Sequence, residues 1–331
     1  MLLVLALLLL AGGPARAEQF KIATLSPNGS SWMQSMRAAA EKIEQQTEGR
    51  VTFKFYPGGV MGSDDAVLRK IRIGQLQGGA MPGGVMVPFY EDAQVYNLPL
   101  KFRSFDEVDY VRERMDEKIV TGIEKKGFVT FGLAEGGFAY ILSKSPITTM
   151  EDLRARKVWI PNNDPGGLQA IKTFGVNPIP LNLADVLAGL QTGLVDTVAT
   201  SPIGAIALQW HTQVTAMTDL PILYFYAVLA IDKKPFSKLS DADQAVVREV
   251  MGAAFQQIDR QNRADNIAAY NALLEQGIEE LELSAAEREL WYQTAKEAEK
   301  NMLNSDIFSA GALQELNGYL EEFRAANGAK P

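Results

Sequence analysis

The chain has 331 residues, 47% hydrophobic, 22% charged and 9% aromatic, the proportions of a globular protein with apolar mass for more than one core. A formal charge of −8 argues against a nucleic-acid partner, because phosphate contact needs a basic surface. The absence of cysteine excludes disulfides, thiolate metal sites and cysteine nucleophiles, and a single histidine, His211, leaves little room for histidine-based catalysis or metal binding.

Residues 2–10 are continuously apolar, and Ala15-Arg16-Ala17 follows as a small-x-small site before Glu18. This is the pattern of a secretory leader, expected over residues 1–17. The run is shorter than the ~20 residues that span a bilayer. No cysteine follows it to carry a lipid anchor. A cleaved, periplasmic chain is the expectation; an uncleaved membrane tether is the alternative.

Strand-like and helical runs then alternate. Residues 20–25 read as a strand, and a helix follows from Trp32 to about Thr47, with Trp32, Met36, Ala40 and Ile43 at helical spacing. Val51, Phe53 and Phe55 alternate with polar neighbours up to Pro57-Gly58-Gly59, the pattern of a half-buried strand. A helix over 64–73 and a glycine-rich loop over 78–84 come next. The β-α-β-α order implies a parallel sheet covered by helices.

After two more strand-like runs in 128–143 the pattern restarts. Strands are expected at 157–161 and 195–200, and helices at 166–174 and 183–192. Residues 220–231 (LPILYFYAVLAI) read as a buried strand by length and aromatic content. From Ser240 onward the chain is helical. Ser240 with Asp243 resembles a capping box, and Val247, Val250, Met251, Ala254, Phe255 and Ile258 form an apolar stripe running toward Leu274. A helix of that length exceeds one domain, which favours one that spans two. The expected division is a first α/β domain over 18–138 with a later contribution from about 221–235, a second over 139–220, and C-terminal helices over 236–331.

Specific motifs sharpen this plan. TEGRVTFKFYPGGVMGSDDAVLRKIRIGQL (47–76), MEDLRARKVWIP (150–161) and GVNPIPLNLADVLAGLQTGLVDT (175–197) resemble the solute-binding subunits of tripartite ATP-independent periplasmic (TRAP) transporters, of the dicarboxylate-binding type. The likeness covers roughly 20–303. It implies a two-domain α/β periplasmic-binding-protein (Venus-flytrap) fold with hinge strands and a long domain-spanning helix. It also implies a function without catalysis or cofactor: capture of one small solute in the cleft and delivery to membrane permease subunits.

The family's usual carboxylate-binding arginine, in its K-x-R-x-P strand, falls here on Trp159, just before Pro161, and a second falls on Ala139. A polar pair after the V-D strand falls on Thr200 and Ser201, and a later polar position on or near Phe225. These changes run from charged or polar toward apolar or small, so the ligand is expected to bind without the arginine–carboxylate contact. Trp159, Trp210, Tyr224, Phe225 and Tyr226 are candidates for an aromatic cleft suited to an apolar, amphipathic or cationic ligand. Trp32, with Met81 and Pro82 of the glycine-rich loop, completes the expected ligand-binding set from the first domain. A carrier or sensor for a hydrophobic or lipid-like molecule on the same fold is the alternative function.

Other signals read as structural. The 78–84 loop lacks the Walker lysine and serine and the dinucleotide glycine spacing. Asp64-Asp65 and Glu279-Glu280 read as helix-start and solvated charges, and no metal site is expected. No motif places a serine or acid beside His211.

Overall fold

The computed structural model describes residues 17–162 and 164–328; residues 1–16 of the expected leader lie outside this range. β1 (Glu18–Thr24) leads into α1 (Ser31–Gln46), where the Ser30 hydroxyl accepts from Met33 N and Trp32, Met33, Met36, Ala40 and Ile43 bury one face. β2 (Val51–Tyr56) lies parallel to β1, and Ser63 caps α2 (Asp64–Arg72). The glycine-rich stretch is not the loop expected: it opens as a strand, β3 (Gly78–Pro82), hydrogen-bonded to β1 and to a later strand. Its glycines allow close approach. A Cβ on Gly78 would lie 2.6 Å from the Ala230 carbonyl, and one on Gly79 would lie 2.9 Å from Val67.

The chain continues through α3 (Phe105–Lys125), β4 (Phe128–Val129) and β5 (Ala134–Ser143). The second α/β unit comprises α4 (Met150–Arg154), β6 (Trp159–Pro161), α5 (Pro165–Thr173), β7 (Ile179–Leu181), α6 (Val186–Thr192), β8 (Thr197–Thr200) and α7 (Pro202–Ala207). β9 (Ala216–Asp232) then returns, followed by α8 (Lys233–Phe236), α9 (Asp241–Glu275), β10 (Glu279–Leu281), α10 (Ala285–Asn304) and α11 (Ala310–Ala326). Among the described residues no helix is long and apolar enough to cross a membrane.

One sheet runs through the molecule in the order β2-β1-β3-β9-β5-β8, with β4 and β10 also paired to β9. β5 and β9 are the strands that cross between domains, antiparallel from Ala134↔Ala227 to Ser143↔Ala216. β9 is 17 residues long, longer than its apolar stretch predicts, because its first residues pair with β5 and β10 in the second domain and its last with β3 and β4 in the first.

The Ser240 hydroxyl caps α9 by accepting from Asp243 N at 3.1 Å. At 1.5 Å per residue its 35 residues extend about 52 Å, and it packs on α1 of the first domain and α7 of the second. The first domain carries one core on each face of its sheet, one around Tyr96, Phe102 and Tyr226, the other around Phe20, Met36 and Phe255. The second domain has one core around Trp291 and another around Trp159 and Trp210.

Candidate functional site

Strand direction locates the cleft. β3 lies antiparallel to β9 with Pro82 opposite Ala227, so β1, β2 and β3 all end pointing along β9 toward the second domain. β8 pairs with β5 with Thr200 opposite Tyr140 and Thr197 opposite Ser143, so it runs back toward the first domain. β6 is parallel to it through the Val158–Thr197 bridge, and β7 is parallel to β6. The cleft-facing edges are therefore the segments after β1, β2 and β3 and those after β6, β7 and β8.

At the end of β8 the start of α7 is saturated by the chain itself. Pro202 has no N–H, Ile203 N donates to Asn266 Oδ1 at 3.2 Å, Gly204 N to Ser201 Oγ at 3.4 Å and Ala205 N to the Ser201 carbonyl at 2.9 Å. All the donors that a helix start would offer an anion are engaged. Ser201 is buried in this role, whereas Thr200 stays half-buried at the edge.

Trp159 and Ala139, the two positions onto which the resemblance puts an arginine, are buried. Trp159 is 7% exposed, stands edge-to-face with Trp210 at 5.1 Å and donates from Nε1 to the Leu181 carbonyl at 3.1 Å. The structure thus brings Trp159 and Trp210 together, inside a core with Val186, Leu190 and Val198. Ala139 is buried opposite Leu223 on the crossing strand. Pro161 ends β6 exposed at the cleft edge, as Pro82 ends β3; Met81 is buried within the sheet.

The aromatic run on β9 divides by strand alternation. Tyr224 and Tyr226 point into the first domain, where Tyr224 Oη accepts from Arg112 Nη1 at 3.0 Å and Tyr226 Oη donates to the Ala93 carbonyl at 2.5 Å. Both are fully buried against Tyr96, so the expected aromatic wall loses these two residues to a core. Phe225 faces the opposite side, half-buried against Gly136 of the crossing strand, where a Cβ would also meet the Phe225 carbonyl at 2.9 Å. Trp32, at the cleft-facing start of α1, lies edge-on to Phe255 at 5.5 Å, and its buried Nε1 has no hydrogen-bond partner.

Basic side chains reach the edges only from neighbouring elements, as where Arg37 Nη2 donates to Asn28 Oδ1 at 2.5 Å and Lys70 Nζ to the Met61 carbonyl at 2.7 Å. No Lys or Arg occurs in residues 25–30, 57–63, 83–87, 161–163, 181–184 or 200–206. Acids begin the adjoining helices. Asp164 accepts from Gly167 N at 2.8 Å as the α5 cap, and burial raises its carboxyl above the usual range. Asp64 opens α2 half-buried; burial, helped by the Asp65 charge, pushes its carboxyl up to about 6. An acid raised this way holds more protons folded than unfolded between pH ~4 and 6, so its stabilising contribution is full at low pH and lost as pH rises through 6. Asp64→Asn should therefore stabilise the protein by about 1 kcal/mol at pH 7.5 and by almost nothing at pH 4, discounting for partial exposure. Urea unfolding at the two pH values measures this; a loss of stability at pH 7.5 would contradict it.

Sequence reasoning missed Asn262 and Asn266 on α9. The signal was present: Met251, Phe255, Ile258, Ala269 and Leu273 continue a buried stripe whose register also falls on those two amides. His211 lies beyond α7 with Nδ1 3.1 Å from the Ala205 carbonyl, and the described residues hold no group of His, Asp or Glu suited to a metal ion.

Residues 22–306 match the family model described as "Bacterial extracellular solute-binding protein, family 7". The 2,3-diketo-L-gulonate-binding periplasmic protein YiaO of Escherichia coli is 25% identical over 238 residues, 68% of this chain and 70% of that one. The sialic acid-binding periplasmic protein SiaP of Vibrio cholerae is 23% identical over 243 residues, 71% and 74% of the two chains. Among solved structures, a TRAP periplasmic solute-binding protein from Xanthobacter autotrophicus with bound β-D-galacturonate superimposes with a TM-score of 0.83 at 17% identity, covering 92% of this chain and 99% of that one. The fold, the crossing strands and the match over most of the chain agree: the chain belongs to the DctP-like family of TRAP-transporter solute-binding proteins.

Proposed function

We propose that this protein captures a small solute between its two domains and delivers it to the permease subunits of a TRAP transporter, and that it does so without an arginine–carboxylate contact. The observation that carries this reading is the absence of any Lys or Arg from the six cleft-edge segments, while Asp64 and Asp164 stand at helix starts beside them. A carboxylate entering between these edges loses hydration and meets no basic residue of the segments themselves, while Arg37 and Lys70, which reach them, are already engaged with Asn28 and the Met61 carbonyl, so the cost is several kcal/mol. The solute class that fits is neutral or positively charged. This departs from relatives whose names specify acids, such as sialic acid.

The alternative, a carrier or sensor for a hydrophobic or lipid-like molecule, rests on the aromatic set. Trp159, Trp210, Tyr224 and Tyr226 are core residues and Trp32 is buried in a core of the first domain, which leaves Phe225 as the half-buried member of that set and weakens that reading. Binding on this plan is stoichiometric and non-catalytic, in the periplasm after removal of the leader. β1 begins at Glu18, directly after the expected cleavage site, with Glu18 N bonded to the Arg50 carbonyl at 2.8 Å.

The test combines two measurements. Mass spectrometry of material released by denaturing the purified protein should find a molecule without a carboxylate at about one per chain. Calorimetric titration with D-glucuronate, bound by two solved relatives, should give no heat up to about 1 mM. Micromolar glucuronate binding, or an organic acid released at one per chain, would overturn the reading.

A further inference from the structure

Three side chains of α9 act on the crossing strand β5 where its own ladder fails. The register of β5 against β9 skips between Glu135 and Gly137. There Asp259 Oδ1 accepts from Glu135 N at 2.7 Å, Asn262 Nδ2 donates to the Glu135 carbonyl at 2.7 Å, and Asn266 Nδ2 donates to the Gly136 carbonyl at 3.1 Å. The spacing of three and then four residues puts all three on one face of the helix. Gly137 follows with φ of +94°, and a Cβ there would lie 2.6 Å from Asn266 Nδ2, so the strand passes α9 at a distance that only glycine allows.

Asn266 differs from the other two in its second bond. Its Oδ1 accepts from Ile203 N, on the second residue of α7, directly after Thr200 and Ser201 at the cleft edge of the second domain. A buried amide, 4% exposed, thus holds the crossing strand with its donor and the second domain with its acceptor. An apolar residue would suit the stripe it interrupts but would leave the Gly136 carbonyl and the Ile203 N–H unpaired.

We propose that Asn266 is a positioning residue of the solute site: its side chain ties the start of α7 to the hinge segment of β5 and so fixes the angle at which the two domains face each other. This rests on the reading of the interdomain cleft as the solute site, but its tests use the protein without added solute, so either can fail alone.

The first test needs no substitution. As the second residue of α7, Ile203 has no acceptor within its own helix. Its amide hydrogen should exchange at least about 100-fold more slowly than in an unstructured peptide if the Asn266 bond persists in solution. Fast exchange in the folded wild-type protein would overturn the proposal.

The second test reads the domain angle. The chain has no cysteine, so Val60→Cys and Leu168→Cys, at positions 71% and 37% exposed on the first and second domains, accept spin labels without background. The labelled parent should show one narrow distance. Adding Asn266→Ala should broaden it or add a second, moving the ratio of arrangements about tenfold, the effect of losing two buried neutral hydrogen bonds. An unchanged distribution in a folded Asn266→Ala protein would make Asn266 a filler and overturn the proposal. Asn266→Asp is the partner variant. It keeps the acceptor for Ile203 and loses the donor to Gly136, so it should retain Ile203 protection while still broadening the distance. Should Asn266→Ala fail to fold, Asn266→Asp and the wild-type exchange rate decide the matter.

Discussion

Replacing Arg112 with leucine should destabilise the protein by about 3 kcal/mol at neutral pH, because it leaves two half-buried carboxylates, Asp116 and Asp259, without their cation. Arg112 is 9% exposed. Nε bonds Asp116 Oδ2 at 2.9 Å, Nη1 bonds Asp259 Oδ1 at 2.8 Å and Tyr224 Oη at 3.0 Å, and Nη2 bonds the Leu133 carbonyl at 2.9 Å. Leucine fills part of the volume and satisfies none of these acceptors. Burial already raises the Asp116 carboxyl above the usual range, against the opposing pull of Arg112. Without the guanidinium it rises further, so the variant takes up protons on folding at a pH where the wild type does not. The deficit should therefore be largest near pH 7.5 and smaller near pH 5, as protonation replaces the lost cation. Urea unfolding at both values measures it. A deficit below about 1 kcal/mol, or one independent of pH, would mean that solvent reaches these carboxylates.

The same ion network reaches the hinge. Asp259, which accepts from Arg112, also accepts from Glu135 N at the register skip. The Glu135 carboxylate pairs with Arg263, which in turn holds Asp109 on α3 through two bonds of 2.7 Å. α9 is therefore anchored to the first domain by charges on Asp259 and Arg263, and Asn266, one turn beyond, reaches the second domain. Charge fixes one side of the hinge, and a neutral amide spans it.

The parts of this design that were legible in the sequence are those that depend on local pattern. Ser240 marks a helix start, the stripe from Val247 to Ile258 marks the face of α9, and Val51 to Phe55 marks a half-buried strand. β3 escaped because glycines at positions 78 and 79 carry no side-chain pattern; they are required by the Ala230 carbonyl and Val67, residues far away in the chain. Strand alternation places Tyr224 and Tyr226 on the opposite face from Phe225, but the sequence does not say which face meets a core and which a cleft. That depended on α3 supplying Arg112 and on the segment around Ala93 supplying a carbonyl. The charge of the proposed site was more legible than its shape: Trp159 and Ala139 stand where the resemblance implies arginine, and the lack of basic residues in the edge segments follows once topology says which segments are edges.

Trp159→Arg, which puts at the start of β6 the arginine that the family resemblance implies there, should cost about 3–5 kcal/mol and confer no binding of D-glucuronate at millimolar concentration. The indole fills the core between Trp210 and the end of β7, and its N–H has a partner in the Leu181 carbonyl. Arginine placed there would lose the edge-to-face contact and bury a cation with a single nearby acceptor, or turn outward and leave a cavity of indole size. Both routes lose stability on the scale of a large-to-small core change. Trp159→Phe keeps an aromatic ring, loses the hydrogen bond and should cost only about 1–2 kcal/mol. The contrast between the two variants separates core from cleft. If the ring instead projected into solvent between the domains, both variants would keep nearly wild-type unfolding curves and the arginine would be free to meet a carboxylate. Unfolding in urea, with glucuronate titrated into each folded variant, distinguishes the cases: a stable Trp159→Arg protein that binds the acid would return Trp159 to the solute site and make loss of the family arginine a change of ligand contact rather than of core packing.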